Sequence, residues 1–374
     1  MSSTPYKYIQ DHASLLEAVS ALQAEKMIAL DVEFDRDRYA YGFTLCLIQV
    51  YGNGITYLFD PFSLVDLKPL FEVFENPKIL KILHAPGEDL QLLNMFGCFP
   101  KSVFDTERSA RLLDFSAFSL SNLLRDIVGV EMDKSQQKSD WTKSPLTEKQ
   151  LHYAAEDVAH LPELYDCLME MGAEKGVSEW IAEENAALDD YRLEEKPNGQ
   201  LYNKDDAKKL PPFQLYVYNA MLQVRDVYAK EFNKPGYQIV DKHFLIDCVF
   251  QPELLDAWAN QRGIHPKLKN KSVAQEFRAA MEKGVEAASE LNLPKFKAQS
   301  RLSFDEREIE KAKRDAVKAI VDLEIRPVWQ EIADRFGENT AAYILNEKTM
   351  TALASGEMKV ADLPYGYRRK LFSK

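Results

Sequence analysis

The stretch Met27–Asp35 constrains this chain more than any other, because it sets two acids on one face of an apolar strand. It reads Met-Ile-Ala-Leu-Asp-Val-Glu-Phe-Asp. Strand side chains alternate between faces, so Asp31 and Glu33 share one face about 7 Å apart, with Val32 and Phe34 on the other. Two carboxylates brought to ~4 Å repel by about 4 kcal/mol at an effective dielectric of ~20. A divalent cation with oxygen ligands offsets that repulsion. Taken alone, the stretch also fits a solvent-facing strand end running into the charged loop Asp35-Arg36-Asp37-Arg38.

The pattern around it describes an α/β fold. Residues 11–25 form an amphipathic helix with Leu15, Leu16, Val19 and Leu22 on one side. Leu45–Tyr51 and Ile55–Phe59 are strands joined by the turn Gly52-Asn53-Gly54, so with the Asp31 strand they form an antiparallel meander. A helix over Leu64–Phe74 follows, then a short strand Ile79–Leu83 and a helix Glu88–Phe96 with Asp89 in its first turn. Ser102–Asp105 is a fifth strand, with helices over Thr106–Leu113 and Leu120–Val128 behind it. Thr147, with Gln150 at capping-box spacing, opens a helix that carries Tyr153 and Asp157 on one face at i, i+4. Pro162 either kinks that helix or starts the next one, and helical pattern continues to about Glu195. The expected fold of residues 1–200 is a five-stranded mixed sheet with helices on both faces.

A linker begins at Lys196-Pro197-Asn198-Gly199, and strand pattern is scarce from Phe213 onward. Two all-helical units follow, at 210–292 and 300–374, separated by a linker from Leu293 to Ser303. Charge divides along the same line. Residues 1–200 hold 18 basic and 34 acidic residues, net −16, while 201–374 hold 29 and 25, net +4. The acidic part suits a metal, the other part phosphate contact. No apolar run reaches the ~18 residues of a membrane span, and the first residues lack the apolar core of a signal peptide. The four scattered cysteines, with no C-x-x-C pair, support neither a zinc site nor a disulfide framework and suit core thiols in a reducing cytoplasm.

Asp31, Glu33, Asp89 and Asp157 come from separated segments that the pattern can bring to one sheet edge. Such a set holds two divalent ions roughly 3.5–4 Å apart, clamping the attacking and leaving oxygens of a phosphodiester. Tyr153 beside it is placed to orient the attacking water and help deprotonate it. The motifs Asp31-Val32-Glu33, Leu83-His84-Ala85-Pro86-Gly87-Glu88-Asp89-Leu90 and Tyr153-Ala154-Ala155-Glu156-Asp157-Val158 resemble the three exonuclease motifs of the ribonuclease D family, as do Asp133–Trp141 and Pro145-Leu146-Thr147. That family is the tyrosine branch of the DEDD 3′–5′ exonucleases, with an RNase H-like fold, and the resemblance spans about residues 5–195.

The resemblance implies that Asp31, Glu33, Asp89 and Asp157 hold Mg²⁺ or Mn²⁺ and that Tyr153 positions the water. It implies hydrolysis of the 3′-terminal phosphodiester of RNA, such as a tRNA precursor, with release of nucleoside 5′-monophosphates and no organic cofactor. A 3′–5′ exonuclease acting on DNA is the alternative, and an inactive RNA-binding scaffold is another. Phe213 to about Ala288 resembles the helicase-and-RNase-D C-terminal (HRDC) domain, a nucleic-acid-binding module, and residues 304–374 resemble a divergent second copy. The run Gly263–Lys271 carries Lys267, Lys269 and Lys271 as expected phosphate contacts. His84 reads as a packed or hydrogen-bonded residue at the strand end, outside the metal set. Asp35 and Asp37 read as loop charges, Asp105 as a helix cap, and Trp141 as a core anchor rather than a base-stacking surface. Phe43, Leu45 and Gln49 line the strand beside the site and read as packing residues, with contact to the terminal nucleotide as the alternative.

Overall fold

A computed structural model describes residues 4–192, 199–296 and 304–373 of the chain. The expected linkers at Lys196–Asn198 and up to Ser303, and the helix end near Glu195, fall outside those residues.

Six strands form one mixed sheet: β1 (Tyr6–Ile9), β2 (Met27–Arg36), β3 (Phe43–Gly52), β4 (Ile55–Phe59), β5 (Leu80–Leu83) and β6 (Val103–Asp105), in the order β1-β4-β3-β2-β5-β6. The sequence pattern yields five. The sixth, β1, is a four-residue edge strand paired in parallel with β4, too short for alternation to announce it. β3 and β4 are antiparallel, and the turn between them takes Asn53 and Gly54 through positive φ of 53° and 77°. β5 runs parallel to both β2 and β6.

Helices cover both faces. α1 (His12–Gln23) buries Leu15, Ala18, Val19 and Leu22. It approaches so closely that a Cβ on Gly52 would lie 2.9 Å from Leu22 Cδ2, which is why the end of β3 carries glycine. Next come α2 (Lys68–Glu75), α3 (Gly87–Met95), α4 (Thr106–Leu112) and α5 (Leu120–Leu123), the last continued by a π-type turn to Val128. α2 starts four residues later than the pattern suggests, because Pro69 lacks an N–H and suits the first turn. The capping box of Thr147 and Gln150 opens α6 (Glu148–Ala159), and Thr56 Oγ1 of β4 donates to Ala155 O at 3.1 Å, fixing that helix on the face opposite α1. Pro162 starts α7 (Leu161–Lys175) rather than kinking α6, and α8 (Ser178–Ala186) follows.

The chain divides into two compact units where the sequence pattern suggests three segments. One comprises Met1–Glu33, Leu45–Leu193 and Leu302–Lys374; the other comprises Phe34–Thr44 and Glu194–Arg301. The second unit contains α9 (Lys204–Lys209), α10 (Pro212–Phe232), α11 (Gly236–Ile239), α12 (Lys242–Phe250) and α13 (Lys271–Glu290). Its own core includes Met221, Leu245, Trp258 and Phe277. In the same unit Asp35 is buried, not a solvated loop charge. Its carboxylate accepts from the amides of Arg38, Tyr39 and Ala40 and so folds the loop around itself.

The final helices, α14 (Phe304–Ile320), α15 (Arg326–Phe336), α16 (Glu338–Ile344), α17 (Glu347–Ser355) and α18 (Gly366–Lys370), belong to the sheet-bearing unit. Ile332, Phe336, Ile344 and Leu345 share one core with Ala29, Ile82, Leu112 and Leu164. Asp114 caps α16, accepting from Asn339 N at 2.7 Å and Thr340 N at 3.1 Å. Glu184 of α8 is fully buried and pairs with Arg368 at 2.6 Å, with the hydroxyls of Tyr343 and Tyr367 also donating to it.

Candidate active site

β2 delivers Asp31 and Glu33 from the face opposite buried Val32, as strand alternation requires. α6 delivers Asp157 one turn beyond Tyr153. The structure brings these together: Asp31, Glu33 and Asp157 each offer an oxygen within 4.8 Å of the others. Asp89, in the first turn of α3 and buried, stands outside that group, yet its charge acts on Asp31.

The electrostatics follow from crowding and burial. Burial, then the charges of Asp89 and Asp157, push Asp31 well above the usual carboxylate range. Burial and then Asp31 do the same to Glu33. Burial pushes Asp89 up to about 7 and Asp157 to about 6, the latter restrained by the Tyr153 hydroxyl nearby. Among the described residues no Lys or Arg offsets Asp31, Glu33 or Asp157. Oxygen donors with uncompensated negative charge, close enough to share one ion, fit a hard divalent cation. Burial and the carboxylates also push the Tyr153 hydroxyl up, and its ring lies 6.1 Å from that of Trp141. Trp141 is 3% exposed within a core cluster, so it anchors Tyr153 and offers no stacking surface.

A cleft of about 350 Å³ opens over these groups. Asp31, Glu33, Tyr153 and Asp157 line it, and so do His84, Ser121, Lys134 and Gln137.

A model of the 3′–5′ exonuclease family matches residues 6–173. Ribonuclease D of Bartonella henselae is 29% identical over 284 residues, covering 75% of this chain and 70% of that protein. Ribonuclease D of Gluconacetobacter diazotrophicus is 31% identical over 254 residues, covering 67% and 64%. The crystal structure of Escherichia coli RNase D, described as an exoribonuclease involved in structured RNA processing, matches with a TM-score of 0.71 at 25% identity, covering 98% of this chain and 96% of that one. The chain resembles ribonuclease D proteins over most of its length. The alignments to other curated ribonuclease D proteins span as little as about half of their length, 49% and 50% in two cases.

In this ribonuclease D relative, sequence reasoning passed over Lys134 and Gln137 as cleft residues. Both sit in a polar connection without periodicity, which gives no hint of the direction a side chain takes. Gln49, read as packing, is fully buried, and both its amide atoms lack a hydrogen-bond partner. Its strand partner Leu58 belongs to the cluster that holds Trp141 and Ala154, so Gln49 faces α6. Asp105 caps α4 as expected and also holds the turn after β5, accepting from Ala85 N at 2.9 Å. Lys267, Lys269 and Lys271 lie exposed in the second unit, with Lys267 Nζ 5.7 Å from the centre of the Phe232 ring.

Proposed function

We propose that this chain is a 3′–5′ exoribonuclease that uses two divalent ions, Mg²⁺ or Mn²⁺, to hydrolyse the terminal phosphodiester of RNA and release nucleoside 5′-monophosphates. The observation that carries this reading is the convergence of Asp31, Glu33 and Asp157 at one cleft that Tyr153 also lines. Asp31, Glu33, Asp89 and Asp157 would hold the ions, which when bound neutralise charge on the phosphate and acidify water. Tyr153 stands one turn before Asp157 on the same face of α6, where its hydroxyl would accept from the attacking water and aim it at phosphorus. Trp141 keeps the phenol ring from swinging away. Structured RNA such as a tRNA precursor is the proposed substrate and the cytoplasm the proposed place of action. Among the described residues no helix is long and apolar enough to cross a membrane. Residues 210–292 and 300–374 are proposed as HRDC-type modules, the first binding RNA phosphates through Lys267, Lys269 and Lys271.

The test is Asp157→Asn assayed on a single-stranded RNA with a free 3′ end. Turnover should fall by more than about a hundredfold, beyond the loss typical of a disrupted supporting shell around a metal. Mn²⁺ should raise the melting temperature of the wild type and not of the variant. Full activity in Asp157→Asn overturns the metal assignment.

A further inference from the structure

His84 follows directly on β5 and lines the same cleft as Asp31, Glu33 and Tyr153. Its turn is tightly held. Ala85 has a φ of 52°, an unfavourable conformation for a residue with a Cβ, and its amide donates to Asp105 Oδ1 at 2.9 Å. The imidazole Nδ1 lies 2.8 Å from Thr106 Oγ1, and that hydroxyl donates to Leu83 O at 3.2 Å. A hydroxyl has one hydrogen, and a carbonyl has none to give. When Thr106 gives its one hydrogen to Leu83 O it accepts from the ring, and that arrangement puts the ring proton on Nδ1 and leaves Nε2 as an acceptor. Burial pushes the ring's pKa down to about 4, so the imidazole is neutral in the physiological range. Among the described residues no group bonds Nε2, and the ring borders the cleft.

An acceptor-only nitrogen selects what can lie against it. Phosphate oxygens are acceptors and cannot pair with it. The donors common to every nucleotide at an RNA 3′ end are ribose hydroxyls, and the 2′-hydroxyl is the one DNA lacks. We propose that His84 Nε2 accepts a hydrogen bond from a 2′-hydroxyl at the 3′ end of the substrate, and that this contact makes the enzyme prefer RNA to DNA. Thr106 is the positioning residue that fixes the ring proton. This inference rests on the exonuclease reading and names the sugar that the same cleft takes.

The experiment compares single-turnover rates on oligonucleotides that carry one of four sugars at the terminal or the penultimate nucleotide. The sugars are ribose, 2′-deoxy, 2′-fluoro and 3′-deoxy, the last at the terminus alone. With wild-type enzyme, 2′-deoxy and 2′-fluoro at one of the two positions should slow release roughly ten- to a hundredfold, the loss expected when a buried acceptor is left unpaired. The 2′-fluoro sugar is the stringent arm, since fluorine matches the hydroxyl in size but cannot donate. His84→Asn keeps an amide N–H near the place of Nδ1 and removes Nε2; its ribose-to-deoxyribose ratio should fall to about one. Thr106→Val should lower the ratio part of the way. Equal rates on 2′-fluoro and ribose with the wild type overturn the proposal, and that arm needs no variant to fold. An unchanged ratio in folded His84→Asn overturns it as well, as does a His84 dependence that follows the 3′-hydroxyl. Absence of release from every oligonucleotide with Mg²⁺ or Mn²⁺ would instead overturn the exonuclease reading.

Discussion

Two helical regions follow the sheet along the chain, and they solve the problem of burial in opposite ways. Residues 204–290 close a core of their own, with Trp258 2% exposed, its indole donating to Leu268 O at 2.8 Å, and its ring 4.7 Å from that of Phe277. Residues 304–370 have no such centre. Ile332, Phe336, Ile344 and Leu345 enter the core that also holds Ala29 of β2 and Ile82 of β5. Similar lengths and similar amphipathic patterns therefore produce one self-sufficient unit and one that completes another unit's fold. Periodicity states that a face is buried and is silent about what buries it.

Removal of the chain from residue 297 onward should break this comparison most severely. It strips at least four large side chains from the shared core, each worth about 2–5 kcal/mol. Their sum, about 8–20 kcal/mol, is as large as the roughly 5–15 kcal/mol that holds a domain together. The truncated protein should be insoluble or lack a cooperative melt, whereas a fragment spanning 199–296 should melt cooperatively by circular dichroism. A well-folded, active truncation would show that the final helices are an accessory.

Arg368→Met addresses the same docking with one side chain. It leaves Glu184 buried without its cation, at a cost of about 3–5 kcal/mol. Glu184→Leu combined with Arg368→Leu should lose less than the single change, because no orphaned charge remains. Urea titrations of the three proteins check the order. Asp114→Ala, which removes the cap of α16, should cost about 1–2 kcal/mol by the same measurement.

What the sequence revealed divides along physical lines. Alternation put Asp31 and Glu33 on one face, helical spacing put Tyr153 and Asp157 on another, and Thr147 with Gln150 marked where α6 begins. Each is a local rule acting within a few residues, and three of the four predicted acids converge as those rules imply. The missed features depend on partners far along the chain. Asp114 meets Asn339 across 225 residues, and Glu184 meets Arg368 across 184. Asp35 became a buried hub because three amides turn back onto it, which a charge-rich loop sequence conceals. His84 could be placed at a strand end but not on the cleft wall, because that position depends on Thr106 and Asp105 from the next strand and helix.

The smallest effect on stability, and the one that sharpens the contrast, comes from changing Lys267, Lys269 and Lys271 to alanine. All three are exposed, and the core beneath them, with Trp258 and Leu268, is untouched, so the melting temperature should stay nearly constant. Binding to single-stranded RNA should weaken and become less sensitive to salt. Each lost phosphate contact removes about 0.7 from the slope of log K against log[salt], so three contacts would lower it by about 2. Measurement by fluorescence anisotropy across a salt series separates the outcomes: a slope reduced by about 2 gives the self-contained helical unit a role in holding RNA. An unchanged slope would leave its lysines as solvated charge and make its independent core the more puzzling of the two solutions.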